Sequence, residues 1–163
     1  MRFACHSVDA SFFDAAPMRF RNIVDLDTTP AEVFAIFDDA SSWPKWFAGM
    51  HKVAWTSGEP HGVSATRTVW MAPLLTLDER FFRWEPGRRI SFFLTGHSQP
   101  LAHALAEDYL LEETAPGKTR FTYTVAMEPR LLVRMAGPVS RAYFGSMFRN
   151  ACQGLQRYVT DAH

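Results

Sequence analysis

Residues 131–159 read LLVRMAGPVSRAYFGSMFRNACQGLQRYV, and this C-terminal stretch decides the fold. Apolar residues recur at three- and four-residue steps, with arginines and other polar residues between them, which is typical of an amphipathic helix. The predicted apolar face consists of Met135, Val139, Ala142, Tyr143, Met147, Ala151, Leu155, Tyr158 and Val159. The predicted solvated face consists of Arg141, Gly145, Arg149, Gln153 and Arg157. Because Gly137-Pro138 interrupts the pattern, we expect the helix to begin at Pro138 or to bend there.

A helix of this length, on the order of 40 Å at about 1.5 Å per residue, needs an apolar partner of similar length. The rest of the chain supplies short segments of alternating polarity that are separated by turns rich in Gly and Pro. These segments are residues 19–26, 51–57, 63–71, 75–84, 89–95, 103–112 and 119–127. Short connections between successive strands indicate an antiparallel meander, which therefore predicts an α+β fold.

Two short helices are predicted between the first strand and the second. Residues 29–34, TPAEVF, form a strong helix start in which Thr29 is the N-cap and Glu32 completes a capping box. Residues 43–47, WPKWF, predict an aromatic turn that Gly49 closes. Residues 1–17 are expected to be an irregular extension packed on the domain or trailing from it, and residues 18–163 a single domain.

Composition limits the classes of function. The 163 residues are 47% hydrophobic and 14% aromatic, which argues against disorder. Seventeen basic residues balance seventeen acidic ones, so we expect no nucleic-acid partner. No apolar run approaches the roughly 20 residues of a membrane span, and no signal peptide is recognisable. We therefore expect a cytoplasmic protein without stable membrane insertion, as a monomer or weak homodimer. The two cysteines, Cys5 and Cys152, are expected to be free thiols.

Several local motifs resemble a known family. Residues 29–34 together with 42–46, SWPKW, are similar to the first two helices of the START-like, or SRPBCC, superfamily. Residues 83–90, RWEPGRRI, resemble the central hairpin of its bacterial polyketide cyclase/dehydrase and lipid-transport group. Residues 107–109 and 119–123 resemble the last two strands of that group. The resemblance covers roughly residues 17–160 and implies a helix-grip fold, in which a curled seven-stranded antiparallel sheet wraps around the C-terminal helix above a deep cavity.

Glu79 and Arg67 are the polar residues of greatest interest. If successive side chains alternate between the two faces of the strand, Glu79 shares a face with Leu77 and Phe81. Arg67 lies on the preceding strand. A carboxylate among apolar neighbours needs a partner, so a cross-strand Arg67–Glu79 pair inside the cavity is one hypothesis. The alternative is that a bulge reverses the face and leaves both side chains in solvent.

The candidate catalytic residues are Glu79, Arg67 and Tyr123. The residues expected to line the ligand cavity are Trp46, Arg67, Val69, Leu77, Glu79, Phe81, Phe92, Tyr109, Tyr123, Met135, Tyr143 and Met147. No histidine pair has metal-ligand spacing, so no metal or other cofactor is predicted; a site would require His97 and His103 to meet with a third ligand.

Three functions are compatible with these patterns. The first is the binding of a hydrophobic or amphipathic small molecule, lipid-, polyketide- or aromatic-like, between sheet and helix. The second is a cyclase or dehydratase in which Glu79, Arg67 or a tyrosine moves a proton. The third is a stress or regulatory protein without a ligand, which a cavity collapsed around Phe92, Phe121 and Phe148 would favour.

Overall fold

A computed structural model describes the whole chain, residues 1–163. The elements in chain order are β1 (Phe3–Ala4), α1 (Phe12–Ala15), β2 (Met18–Leu26), α2 (Pro30–Asp38), α3 (Trp43–Trp46), β3 (Met50–Trp55), β4 (Thr66–Met71), β5 (Leu75–Glu85), β6 (Arg89–His97), β7 (Ala102–Ala115), β8 (Lys118–Pro129), α4 (Leu131–Met135) and α5 (Gly137–Asp161). No helix among them is both long enough and apolar enough to cross a membrane.

The seven long strands form one antiparallel sheet in the order β2-β8-β7-β6-β5-β4-β3. The sheet is curled but not closed, because its edge strands β2 and β3 do not pair with each other. Helix α5 lies in the concave side, and the predicted helix-grip architecture is confirmed. The capping box is also confirmed: the Thr29 hydroxyl accepts from the Glu32 amide, and the Glu32 carboxylate accepts from the Thr29 amide.

The C-terminal half of α5 forms the core contact with the sheet. Ala151, Leu155 and Val159 are at most 3% exposed, and Arg149 and Arg157 face solvent, as the pattern predicted. At Gly154 the helix backbone approaches α3 so closely that an added Cβ would lie 2.0 Å from the Trp46 carbonyl oxygen. A glycine is therefore required at this crossing.

The predicted apolar face is wrong for the N-terminal half of this region. Met135, Val139 and Tyr143 are 74%, 74% and 61% exposed. In a helix that turns about 100° per residue, Val139 and Tyr143 lie roughly opposite the buried stripe of Phe148 and Leu155. The break at Gly137, whose φ is +46°, also separates α4 from α5.

The N-terminal segment is more ordered than the predicted irregular extension. Strand β1 pairs with β6, with Phe3 opposite His97. The Cys5 amide then donates to the Thr95 carbonyl, which fixes this cysteine beside β6, whereas Cys152 is buried on α5.

Candidate functional site

An internal cavity of about 60 Å³ lies between the concave face of the sheet and α5. Thirteen of its sixteen lining residues are hydrophobic, and the three charged ones are Arg67, Glu79 and Glu107. The hydrophobic lining consists of Trp43, Phe47, Met50, Met71, Leu75, Leu77, Leu94, Leu101, Leu105, Tyr109, Phe144, Met147 and Phe148. An apolar chamber with a few convergent polar groups is the usual form of a small-molecule site.

Arg67 and Glu79 form a buried ion pair in the cavity wall. They are direct cross-strand neighbours of β4 and β5, so the alternation of both strands turns them to the same face. Arg67 is 1% and Glu79 is 4% exposed, and Arg67 Nε donates to Glu79 Oε2 over 2.5 Å. The Arg67–Glu79 pair therefore faces the cavity, and no bulge interrupts the pairing of β4 with β5 at these residues.

Aromatic rings surround the Arg67 guanidinium. Its central carbon lies 4.2 Å from the ring centroid of Trp43, 4.8 Å from that of Phe92 and 5.0 Å from that of Phe81. The faces of such rings attract cations, so they replace part of the hydration that the guanidinium loses on burial.

One nitrogen of this guanidinium is left without a partner. Arg67 Nη1 is buried and finds no hydrogen-bond acceptor in the protein. Unsatisfied buried donors are rare and costly, so each one in a native protein calls for an explanation. Because Arg67 lines the cavity, a guest molecule held there would lie close to this guanidinium.

Glu107 is a third charged residue of the cavity wall, which the sequence patterns did not single out. Its Oε2 accepts hydrogen bonds from the hydroxyls of Tyr123, at 2.9 Å, and Tyr109, at 3.1 Å. Tyr109 and Tyr123 are paired neighbours of β7 and β8, and both are 1% exposed. Side chains alternate between the two faces of a strand, so Glu107 shares the inner face of β7 with Leu105 and Tyr109.

The two carboxyls of the cavity wall, those of Glu79 and Glu107, differ in their electrostatic surroundings. Burial raises the pKa of Glu107 to about 7, the negative charge of Glu79 adds to this rise, and the two tyrosine hydroxyls oppose it. Burial also raises the pKa of Glu79, but the adjacent Arg67 guanidinium opposes that rise. Arginine stays protonated in proteins, so Glu79 lies beside a permanent positive charge, whereas Glu107 lies beside two tyrosine hydroxyls.

The predicted ligand-contacting residues divide into three groups. Those in the cavity wall are Arg67, Leu77, Glu79, Tyr109 and Met147. Those buried in the core outside the wall are Trp46, Val69, Phe81, Phe92 and Tyr123. Met135 and Tyr143 are exposed and do not face the cavity, because the helix presents Phe144 and Phe148 to it instead.

The two histidines that a metal site would require, His97 and His103, do not converge. His97 is fully buried and its Nε2 lies 3.0 Å from the Ala102 carbonyl oxygen, whereas the ring of His103 lies near that of His6. The structure holds no group of three His, Cys, Asp or Glu side chains that could bind a metal ion.

A larger groove, of about 890 Å³, lies on the surface beside α2, and its His61 and Asp38 side chains are paired with each other. The His61 ring stacks on Trp55 with centroids 3.9 Å apart, and its Nδ1 lies 2.6 Å from Asp38 Oδ1. We therefore assign the chemistry to the internal cavity, which is smaller but holds the unpartnered donor.

The cavity is much smaller than the deep chamber that the family resemblance implied. Ligand sites commonly measure about 300–1,000 Å³. Here bulky rings occupy the interior: Phe37, Trp43, Phe92, Tyr109, Phe121, Tyr123 and Phe148 are each at most 4% exposed. A drug-sized guest thus requires the wall to move.

The side chains that line the cavity are least buried at one end. Phe144 and Met147 of α5, Leu75 of β5 and Leu101 before β7 line the cavity but are only partly buried. Arg67 and Glu79 lie in the fully buried part of the wall, at 1% and 4% exposed, whereas Glu107 is partly buried. The cavity consequently has a polar closed end and an apolar end close to the surface.

Comparison with known proteins gives a family match over most of the chain. Residues 17–160 match the model of the family described as polyketide cyclase / dehydrase and lipid transport. The protein Rv2574 of Mycobacterium tuberculosis (strain ATCC 25618 / H37Rv) is 39% identical over 160 residues, which cover 98% of this chain and 95% of that protein. The protein Mb2604 of Mycobacterium bovis matches with the same identity and coverage.

Solved structures share the architecture at low sequence identity. A START superfamily protein from Mycobacterium smegmatis superposes with a TM-score of 0.77 at 12% identity, covering 89% of this chain and 99% of that one. The di-domain ARO/CYC protein BexL of the BE-7585A biosynthetic pathway superposes with a TM-score of 0.67 at 15% identity, covering 86% of this chain and 45% of BexL. At such identities the likeness concerns the fold alone.

Proposed function

The chain belongs to the polyketide cyclase / dehydrase and lipid transport family, and we propose that it binds a neutral, largely apolar small molecule whose carbonyl or hydroxyl oxygen accepts a hydrogen bond from Arg67. The observation that carries this proposal is the buried, unpartnered Nη1 of Arg67 in the cavity wall. A guest oxygen at this position removes the cost of an unsatisfied charged donor.

Charge balance favours a neutral oxygen over a carboxylate. Arg67 already has Glu79 as its counter-ion at 2.5 Å, so a second anion would bring an uncompensated charge into the buried end of the cavity. The nearby Glu107 strengthens this preference, since an anionic guest would compete with its ionised form. A carbonyl oxygen takes the free N–H without adding charge.

The apolar part of the guest is expected to lie toward Met147 and Phe144. Methionine adapts its shape at low cost, and Met50, Met71 and Met147 all line the cavity. Outward movement of the partly buried Phe144 and Met147 lengthens the chamber without disturbing the ion pair at its closed end.

Three naphthalenes of matched shape test the proposal: 2-acetylnaphthalene, 2-ethylnaphthalene and 2-naphthoate. We expect the ketone to bind roughly 10- to 100-fold more tightly than the ethyl compound, the scale of a hydrogen bond to a charged group. We expect the carboxylate to bind more weakly than the ketone. Dissociation constants come from ligand fluorescence titration at neutral pH.

The matching protein variant replaces both charged partners, Arg67→Met with Glu79→Met, because removing one alone would strand a buried charge. In this double variant the preference for the ketone over the ethyl compound should disappear. Asp25→Met with Arg120→Met, which removes an exposed ion pair of β2 and β8, is the control and should retain the preference. Equal affinities in the wild type would contradict the proposal, and failure of all three compounds to bind would favour a ligand-free protein.

A second function, acid–base catalysis, is favoured by a second carboxyl, that of Glu107, in the cavity wall that Arg67 and Glu79 also line. Glu107, with a pKa of about 7, is suited to donate or accept a proton from a carbonyl compound held by Arg67. Were a substrate turned over, Glu107→Gln should lower turnover roughly 10²- to 10⁴-fold and leave its dissociation constant nearly unchanged. A binder without catalysis shows no turnover in the wild type.

A further inference from the structure

Exposed apolar side chains are concentrated at one place on the surface. Nine large hydrophobic residues are strongly exposed, and five of them fall within residues 131–143. We call these five the α4–α5 patch: Leu131, Leu132, Met135, Val139 and Tyr143, which are 57–74% exposed. A cluster of this kind on a surface marks an interaction site far more often than scattered apolar residues do.

The patch carries positive charge although the whole chain is neutral. Residues 130–157 contain five arginines and no aspartate or glutamate. Arg134 and Arg141 are exposed and form no salt bridge, and both line a groove of about 660 Å³ together with Leu131. Glu128 and His103 lie in the same groove, so one acidic residue offsets part of the charge there.

The patch adjoins the apolar end of the cavity. Tyr143 of the patch precedes Phe144, which lines the cavity, and their rings are in edge-on contact with centroids 5.4 Å apart. On the sheet side, the 79% exposed Leu74 precedes Leu75, another lining residue. Apolar side chains thus continue from the cavity wall to the surface on two sides.

We propose that the α4–α5 patch docks this protein on the surface of an anionic lipid bilayer. Leu132, Met135 and Val139 would enter the boundary between headgroups and acyl chains, and Arg134 and Arg141 would contact lipid phosphates. Amphipathic helical segments with apolar and basic residues bind membranes in this way, and the binding depends on the anionic lipid.

Charge also decides between a membrane and a second copy of this chain. A symmetric dimer through this patch would place Arg134 and Arg141 near their own copies, and like charges across an interface oppose association. A surface of lipid phosphates complements them instead. The proposal rests on exposed residues and is independent of the ligand assigned to the cavity.

Sedimentation with lipid vesicles tests the proposal. We expect binding to vesicles of equimolar phosphatidylcholine and phosphatidylglycerol, weakening as salt is added, and little binding to phosphatidylcholine alone. Arg134→Gln with Arg141→Gln should lower the partition coefficient about 25-fold, since each basic residue contributes about 1 kcal/mol, or roughly fivefold. Arg21→Gln with Arg80→Gln, which removes two exposed arginines of β2 and β5 outside the patch, is the charge-matched control.

Leu132→Ser with Met135→Ser examines the apolar contribution and should lower the partition coefficient by at least about tenfold. The control is Ile23→Ser with Val63→Ser, which changes two exposed apolar residues elsewhere. Absence of vesicle binding, or equal binding by patch and control variants, would overturn the proposal. So would a dimer in analytical ultracentrifugation that the patch substitutions dissociate, because the occupant would then be a second copy.

Discussion

At the scale of single residues, the cavity is unusual for the three charged groups in its wall. A buried ion pair contributes little to stability by itself, because desolvation offsets much of the attraction between its charges. Arg67 and Glu79 are nevertheless paired where aromatic rings surround the guanidinium, and one guanidinium nitrogen has no partner. A site that is costly to fold but specific in its hydrogen bonding is typical of function rather than of stability.

Glu107 should make stability depend on pH. Its pKa rises from an ordinary 4.5 to about 7 in the folded protein, a difference that corresponds to about 3 kcal/mol. Below the ordinary value the carboxyl is protonated in both states, and the rise has no effect. As pH increases toward 7 the unfolded state releases its proton first, so the folded protein loses stability.

Glu107→Gln removes this titration and keeps a similar shape. We expect the variant to gain stability relative to the wild type as pH rises from about 4.5 to 7, by up to about 3 kcal/mol. Urea denaturation of both proteins at pH values across this window measures the difference. Asp25→Asn, at an exposed carboxyl, is the control and should show no such gain. A difference between Glu107→Gln and wild type that does not vary with pH would contradict the assignment.

At the scale of elements, the strands were predictable because the alternation of polar and apolar residues can be recognised within a few positions of the sequence. Each long strand lies within a few residues of its predicted position, and the Arg67–Glu79 pair follows once the register of β4 and β5 is known. The buried face of α5 was predicted only in its C-terminal half. Exposed apolar residues such as Val139 and Tyr143 imitate a core pattern, and nothing local distinguishes them from core residues.

The crossing of α5 over α3 gives a matched test of that packing. Gly154→Ala places a methyl group 2.0 Å from the Trp46 carbonyl oxygen, and we expect it to lower the free energy of unfolding by about 1–3 kcal/mol. At Gly145 the new Cβ meets only the Phe20 ring at 3.7 Å. Gly145→Ala should therefore stabilise the protein by about 0.5–1 kcal/mol through helix propensity. Thermal denaturation decides, and equal effects of the two substitutions would contradict the close approach at Gly154.

At the scale of the whole molecule, the sheet and helix enclose less space than the resemblance implied. The volume depends on how rings from distant segments meet, as when Phe37 of α2 packs against Tyr109 of β7 and Phe121 of β8. Such packing leaves no periodic signal in the sequence. Glu107 could have been found from alternation, but its proximity to Tyr123 could be recognised only from the pairing of β7 with β8.

A cavity of about 60 Å³ has to widen before it admits a drug-sized guest. Within α5, residues 148–159 include the fully buried Leu155 and the close approach to Trp46, whereas residues 137–147 are mostly exposed or partly buried. Buried packing sets the free energy of local opening, so the first part of the helix should open more readily than the second. Movement of Phe144 and Met147 with that first part enlarges the apolar end and leaves Arg67 in place.

Amide hydrogen exchange followed by mass spectrometry measures this difference. In the free protein we expect residues 137–147 to exchange faster than residues 148–159, although both stretches belong to one helix. Saturating 2-acetylnaphthalene should slow exchange in residues 137–147 and leave residues 148–159 nearly unchanged, because the guest packs against the part that opens. Uniform protection along α5 that the ketone does not alter would mean that the cavity stays closed. The protein would then act without a guest of this size, and the exposed α4–α5 patch would be its principal site of interaction.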